Sequence, residues 1–244
     1  LTGEGRWNLD FDGLADAFAE GNRLLLLCNP HNPVGRAYTA GELTAVAELA
    51  ERYDVRVVSD EIHAPLTFSP AAHVPFVTLG PEVARRTMTL HSASKAFNLA
   101  GLGAAVAVIG NPEDAKRFAE VSYRHRGPAG ILGIEAAVAA FTHGDEWLDA
   151  LLAHLQTTRD HLGSVLADRV PGISWFPPEA TYLAWLDCRD LGLESAQASF
   201  LDRGRVAFND GAAFGPGGEG FVRLNFGTSR GIVTRMVQQI AAAL

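Results

Sequence analysis

The chain has 244 residues, 48% hydrophobic and 20% charged, an ordinary globular composition that suits one large domain or two modest ones. A formal net charge of −8 with no basic cluster argues against a nucleic-acid surface. No apolar run reaches the ~18 residues of a membrane span, and the longest candidate, Leu99 to Ile109, is interrupted by glycines. No secretion signal is visible, and two distant cysteines, Cys28 and Cys188, imply no disulfide framework and a reducing cytoplasm. The chain opens on Leu1 and a polar Gly-rich turn, Thr2-Gly-Glu-Gly-Arg6, so an N-terminally incomplete protein is expected.

From Asn8 to Glu20 the apolar residues Leu9, Phe11, Leu14, Ala15 and Phe18 predict a short helix, capped by Asp10 or Asp12 and closed at Gly21-Asn22. Leu24 to Cys28 is a continuous apolar run, which predicts a strand buried on both faces of a parallel sheet. A turn-forming cluster follows, Asn29-Pro-His-Asn-Pro-Val-Gly35. Thr39 with Glu42 three residues on forms a capping box for a helix reaching about Tyr53. Val55 to Ser59 and Thr87 to His91 are the next strands, in a βαβ rhythm. Gly103 to Ile109 is a further strand. Helical patterns run from Pro112 to Arg169, the segment Trp147 to Arg169 carrying a leucine stripe that packs as core. Short strands then take over, near Ile173 to Phe176, Tyr182 to Asp187, Arg205 to Phe208 and Phe221 to Phe226, with helices at about Gly192 to Gly204 and Ser229 to Ala243. The expected architecture is therefore an α/β domain with a mainly parallel sheet and helices on both faces over residues 1–145. A long connecting helix and a smaller α+β domain over 146–244 complete it.

In open α/β sheets ligands bind outside the carboxyl ends of the strands, so the strand ends carrying Asn32, Asp60 and Lys95 are expected to converge on one crevice. A lysine at a buried strand end must be neutralised, paired or covalently used, which is what a Schiff-base lysine needs. Its ordinary alternative is a loop lysine reaching water. Asp60 can hold a proton on the nitrogen of an aromatic cation, or it can cap a loop. Asn32 offers an amide to a phenolate oxygen, or simply initiates a turn before Pro33. Ser92 and Ser94 can hold a phosphate through their hydroxyls and a helix N-terminus, or serve as caps. Arg223 can meet a carboxylate with its guanidinium fork, or reach solvent from its strand.

Two further patterns carry less. Gly215-Pro-Gly-Gly-Glu-Gly220 fits G-x-G-x-x-G but contains Pro216 and precedes a strand, so it reads as a glycine turn and not a dinucleotide site. His31, His63 and His91 at strand ends, with Asp60, would suggest a hydrolytic metal site, but nothing in their spacing forms one in advance.

Asn29-Pro-His-Asn-Pro-Val-Gly35, Ser59-Asp-Glu-Ile-His63 and Ser92-Ala-Ser-Lys-Ala-Phe-Asn-Leu-Ala-Gly101 together resemble pyridoxal-phosphate enzymes of the aspartate-aminotransferase fold, in order, spacing and residue type. The resemblance implies pyridoxal 5'-phosphate held on Lys95, Asp60 at its ring nitrogen, Asn32 at its ring oxygen, with His63 where many relatives have a tyrosine, and Ser92 at the phosphate, beside Ser94 as the other candidate hydroxyl. Arg223, in Phe221-Val-Arg-Leu-Asn-Phe-Gly227, matches the arginine that clamps a substrate carboxylate. Many aminotransferases of the group carry an arginine eight residues after the lysine; here that position is Gly103. Pro178 to Arg189, Gly211 to Asn225 and Trp147 to Leu152 resemble the bacterial cystathionine β-lyase-like C–S lyases. The expected activity is β-elimination at a sulfur amino acid, giving thiol, pyruvate and ammonia; aminotransfer is the same-cofactor alternative, and a metal hydrolase or a non-catalytic domain the remote ones. Relatives share sites across a homodimer and supply a phosphate-binding backbone, a ring-stacking aromatic and a partner tyrosine from a preceding portion, so the isolated stretch is expected to bind cofactor poorly.

Overall fold

The structure is a computed structural model that describes residues 2–3, 5–122, 125, 127 and 129–244. Leu1 and Glu4 of the opening turn, and residues 123, 124, 126 and 128 of the expected helical tract, lie outside the described residues. The chain forms two compact units, one of Leu1–Pro30 with Ala37–Ala150 and one of His31–Arg36 with Leu151–Leu244.

The first unit opens with a short antiparallel ribbon, β1 (Thr2–Gly3) and β2 (Trp7–Asn8), followed by helix α1 (Phe11–Ala19). Asp10 caps α1, its side chain accepting from Gly13 N at 2.9 Å. Its main sheet has the order β3 (Leu24–Cys28), β4 (Arg56–Asp60), β5 (Thr87–His91), β6 (Val106–Ile109). The first three strands run parallel and β6 antiparallel. Between β3 and β4 lies α2 (Ala40–Arg52), whose capping box is formed as expected: Glu42 N donates to Thr39 Oγ1 at 3.2 Å and Thr39 N to Glu42 Oε2 at 2.8 Å. Phe18 of α1, Leu43, Val46, Ala47 and Ala50 of α2, and Leu27 and Val57 of the sheet make one buried core with Tyr38 and Phe76.

The expectation of two-sided burial for β3 fails. Leu27 is buried, but Leu24 and Leu26, whose side chains alternate to the opposite face, are 56% and 74% exposed. β3 is an edge strand of this sheet, and the face that carries Leu24 and Leu26 is little covered by the described residues, so the continuous apolar run has one covered face and one bare one. A short helix, α3 (Pro81–Arg85), precedes β5. The expected helical tract holds α4 (Pro112–Glu120), capped by Asn111 with Pro112 at its first turn, α5 (Ile131–His143) and α6 (Asp145–Arg169). The division between units falls at Ala150/Leu151, within α6.

The second unit is α+β. Its antiparallel sheet has the order β7 (Ser174–Trp175), β8 (Leu183–Asp187), β10 (Phe221–Asn225), β9 (Asn209–Asp210). Leu155, Leu162 and Leu166 of α6 are buried, as the leucine stripe predicts, together with Phe200 of α7 (Ala196–Asp202) and Val233, Val237 and Ile240 of α8 (Arg230–Ala241). The strand expected at Arg205 to Phe208 forms instead at Asn209–Asp210, because Arg205 takes a positive φ of 56° that a strand cannot continue through. The expected helix from Gly192 starts only at Ala196, where Ser195 supplies the cap.

Candidate active site

The parallel register aligns Cys28 with Asp60 and Asp60 with Leu90, so the carboxyl ends of β3, β4 and β5 lie side by side in the first unit. Asn29 N donates to Asp60 O at 3.0 Å and Glu61 N to Leu90 O at 3.0 Å, extending the ladder past the last strand residues. Asp60 is half-buried; Oδ1 accepts from Ile62 N at 3.2 Å, and no hydrogen bond to its other carboxylate oxygen occurs among the described residues. His63 is 3% exposed at the start of a 3-10 turn (Ala64–Leu66), its carbonyl accepting from Leu66 N.

Lys95 is four residues beyond the end of β5, half-buried in a turn. That turn is not the expected helix N-terminus. Phe97 N donates to Ala93 O and Leu99 N to Ser94 O, but Asn98 takes φ 56° and the chain passes into a 3-10 turn (Ala100–Leu102) ending at Gly103, φ 58°. Two consecutive small-residue stretches with left-handed positions stop a helix before it starts. The turn is nevertheless pinned: Ala93 and Ala96 are buried and Trp147 Nε1 donates to Ala96 O at 3.3 Å. Among the described residues nothing hydrogen-bonds or pairs with the Lys95 amine. Ser92, buried, has one hydroxyl proton to share between Ala104 O at 2.6 Å and Ser94 Oγ at 2.9 Å, and it accepts from Ser94 N. The half-buried Ser94 hydroxyl is thus the more available donor of the two.

The second unit holds Asn32 and Arg223. Arg223 Nη1 donates to Asn32 Oδ1 at 2.7 Å, while Nε and Nη2 donate to Asn209 Oδ1 at 3.2 and 2.8 Å. The guanidinium also lies over the Phe214 ring, 4.8 Å from its centroid. No carboxylate pairs with Arg223 among the described residues. Burial lowers its pKa while the Tyr182 phenol opposes the shift, and burial raises the Tyr182 pKa against the pull of Arg223. Two neutral amide oxygens and an aromatic face thus orient a cation without neutralising it, which leaves its charge for an incoming anion. Asn209, Phe214 and Tyr182 escaped the sequence reading because strand patterning marks only in and out. Asn209 faces Arg223 through the β9–β10 register, which only pairing reveals.

Among the described residues no group of three His, Cys, Asp or Glu could hold a metal ion, and His31 belongs to the second unit while His63 and His91 belong to the first. Gly215 to Gly220 is a turn running into β10, with Gly217 N donating to Glu219 Oε2 at 2.9 Å.

An open α/β sheet with polar groups and a lysine at its carboxyl edge, followed by an α+β unit, defines a pyridoxal-phosphate-enzyme fold of type I. The aminotransferase class I and II model matches residues 1–240, and the chain belongs to that family. A Mycobacterium tuberculosis relative is 43% identical over 270 residues, covering all of this chain and 65% of its own length. Cystathionine beta-lyase PatB of Bacillus subtilis is 36% identical over 250 residues, covering all of this chain and 64% of PatB. Among solved structures, Treponema denticola cystalysin, which contains a pyridoxal 5'-phosphate cofactor, superposes with a TM-score of 0.95 at 29% identity over all of this chain and 63% of its own. The chain therefore spans slightly less than two thirds of the length of these relatives.

Proposed function

We propose that the protein is a pyridoxal-phosphate-dependent C–S β-lyase acting on a sulfur amino acid of the cystathionine type. The observation that carries this reading is the 36% identity to a cystathionine beta-lyase across the whole chain. The residues fit the cofactor on their own geometry. Among the described residues an amine without a partner stands beyond β5, an incompletely bonded carboxylate ends the adjacent β4, and the Ser94 hydroxyl is available nearby in the lysine turn. When bound, the cofactor supplies an electron sink for the carbanion at the substrate Cα.

Lys95 Nζ would hold the cofactor and take the proton from the substrate Cα. The Asp60 carboxylate would be the anionic partner that keeps the ring nitrogen protonated. Asn32 would offer its amide to the ring oxygen, with His63 a second group for that oxygen, and Ser92 and Ser94 would hold the phosphate. Arg223 grips the substrate α-carboxylate, oriented by Asn32 and Asn209. The overall reaction on cystathionine takes up one water and yields homocysteine, pyruvate and ammonia: the Cβ–S bond breaks, the sulfur leaves as thiolate and takes a proton. The protein is proposed to be cytoplasmic, in keeping with two free cysteines among the described residues, and to be a homodimer.

The test supplies the full-length protein with cystathionine and, separately, with an amino acid plus a keto acid. Thiol and pyruvate from the first support the lyase; amino-group exchange without thiol release replaces it with an aminotransferase.

A further inference from the structure

Next to Asp60 in sequence stands Glu61, 1% exposed, a carboxylate that the chemistry above does not use. Its oxygens are nonetheless fully engaged. Oε1 accepts from Ser59 Oγ at 2.9 Å and from Phe76 N at 3.0 Å, and Oε2 lies 3.0 Å from His73 Nε2. On the other side of the imidazole, His73 Nδ1 is 3.5 Å from Asn29 Nδ2. The Asn29 amide cannot turn over, because its Oδ1 accepts from the buried Tyr38 N at 3.0 Å. His73 Nδ1 therefore faces a donor and must keep its lone pair, which assigns the proton to Nε2 and aims it at Glu61. The result is a largely buried chain, Asn29 to His73 to Glu61, that starts at the end of β3 and finishes at the end of β4. Asn29 N closes it by donating to Asp60 O.

Such a chain has two consequences for Asp60. It ties together the residues on both sides of it, Ser59 and Glu61, so the carboxylate projects from a backbone that is bonded on either side. It also keeps a second negative charge buried close to the strand ends. Burial alone would raise the Glu61 pKa, yet the bonds from His73, Phe76 and Ser59 outweigh it and lower the pKa, so the group stays ionised. The charge is felt across the sheet: burial lowers the pKa of His91 at the end of β5, and Glu61 opposes that shift. The titratable groups facing Glu61 are His73 and His91, with Asp60 beside it in the chain.

We infer that Glu61, locked by Ser59, His73 and Phe76, is a positioning residue for Asp60, and that its buried charge supports protonation of the cofactor cation. This rests on the assignment of Asp60 above. Glu61→Gln keeps the shape and the Oε1 bonds but removes the charge, and it asks His73 for a tautomer that Asn29 disfavours. His73→Leu leaves the Glu61 carboxyl group in place and removes the clamp on its Oε2, and it serves as the second variant should the first not fold.

The experiment measures pyridoxal 5'-phosphate dissociation from the full-length protein and the pH midpoint of its visible absorption band, for wild type, Asp60→Asn, Glu61→Gln and His73→Leu. Glu61→Gln is expected to weaken cofactor binding about tenfold and move the midpoint to lower pH. His73→Leu should weaken binding with a smaller displacement of the midpoint. If both match wild type in affinity and midpoint while Asp60→Asn changes both, the inference falls and the assignment of Asp60 stands. If Asp60→Asn changes neither, the assignment itself falls.

Discussion

Lys95 and Arg223 are the two cations on which the proposed chemistry turns, and the structure treats them differently. Lys95 has no partner among the described residues in a pinned turn, so its amine is available for covalent use. Lys95→Ala should abolish the borohydride-trapped cofactor adduct and lower kcat/KM by roughly a thousandfold or more; an adduct that survives would mean another amine is used. Arg223 is oriented by Asn32, Asn209 and Phe214. Arg223→Lys keeps the charge and loses the fork, so kcat/KM should fall about 10- to 100-fold with most of the loss in KM, as read from steady-state kinetics. Glu61 carries a pH signature. Its pKa is depressed on folding, so its contribution to stability is fully present above the ordinary glutamate value of about 4.3 and is lost as pH falls through the lower folded value. Urea denaturation of wild type and Glu61→Gln between pH 6 and 3 should show wild type losing more stability on acidification than the variant.

At the level of elements, the turn between β3 and α2 is where local sequence and distant packing meet. Gly35 takes φ 71°, and a Cβ there would collide with Pro178 and lie 3.0 Å from Ala180 O. Its carbonyl accepts from Glu179 N and Ala180 N, and the buried Arg36 pairs with Glu179. These bonds explain why His31–Arg36, and Asn32 with it, belongs to the second unit although it lies within the chain of the first. Gly35→Ala should therefore destabilise the second unit by about 2 kcal/mol or more, visible as a lowered denaturant midpoint, through strain and collision together. A midpoint equal to wild type would show that the turn relaxes without cost.

For the whole molecule, the sheet of the first unit leaves Leu24, Leu26, Val106 and Val108 more than half exposed, and the chain spans slightly less than two thirds of its relatives' length. The isolated 244 residues are expected to bind pyridoxal 5'-phosphate weakly, and the full-length protein to elute as a dimer; equilibrium dialysis and light scattering check the two, and tight stoichiometric binding by the stretch alone would contradict the first. Sequence alone determined the order of strands and helices in the first unit, the capping box at Thr39, and the polar residues at strand ends, because each depends on periodicity or on neighbours within four residues. It also carried the family, through three motifs whose spacing is local to each strand end. Tertiary structure decided what depends on pairing across the chain. Only the fold exposes one face of the leucine run in β3 and carries Asn32 to the unit of Arg223. Likewise only packing sets Asn209 against the guanidinium and closes the buried chain from Asn29 through His73 to Glu61. Those outcomes rest on contacts between residues 12 to 191 positions apart, which no local pattern encodes.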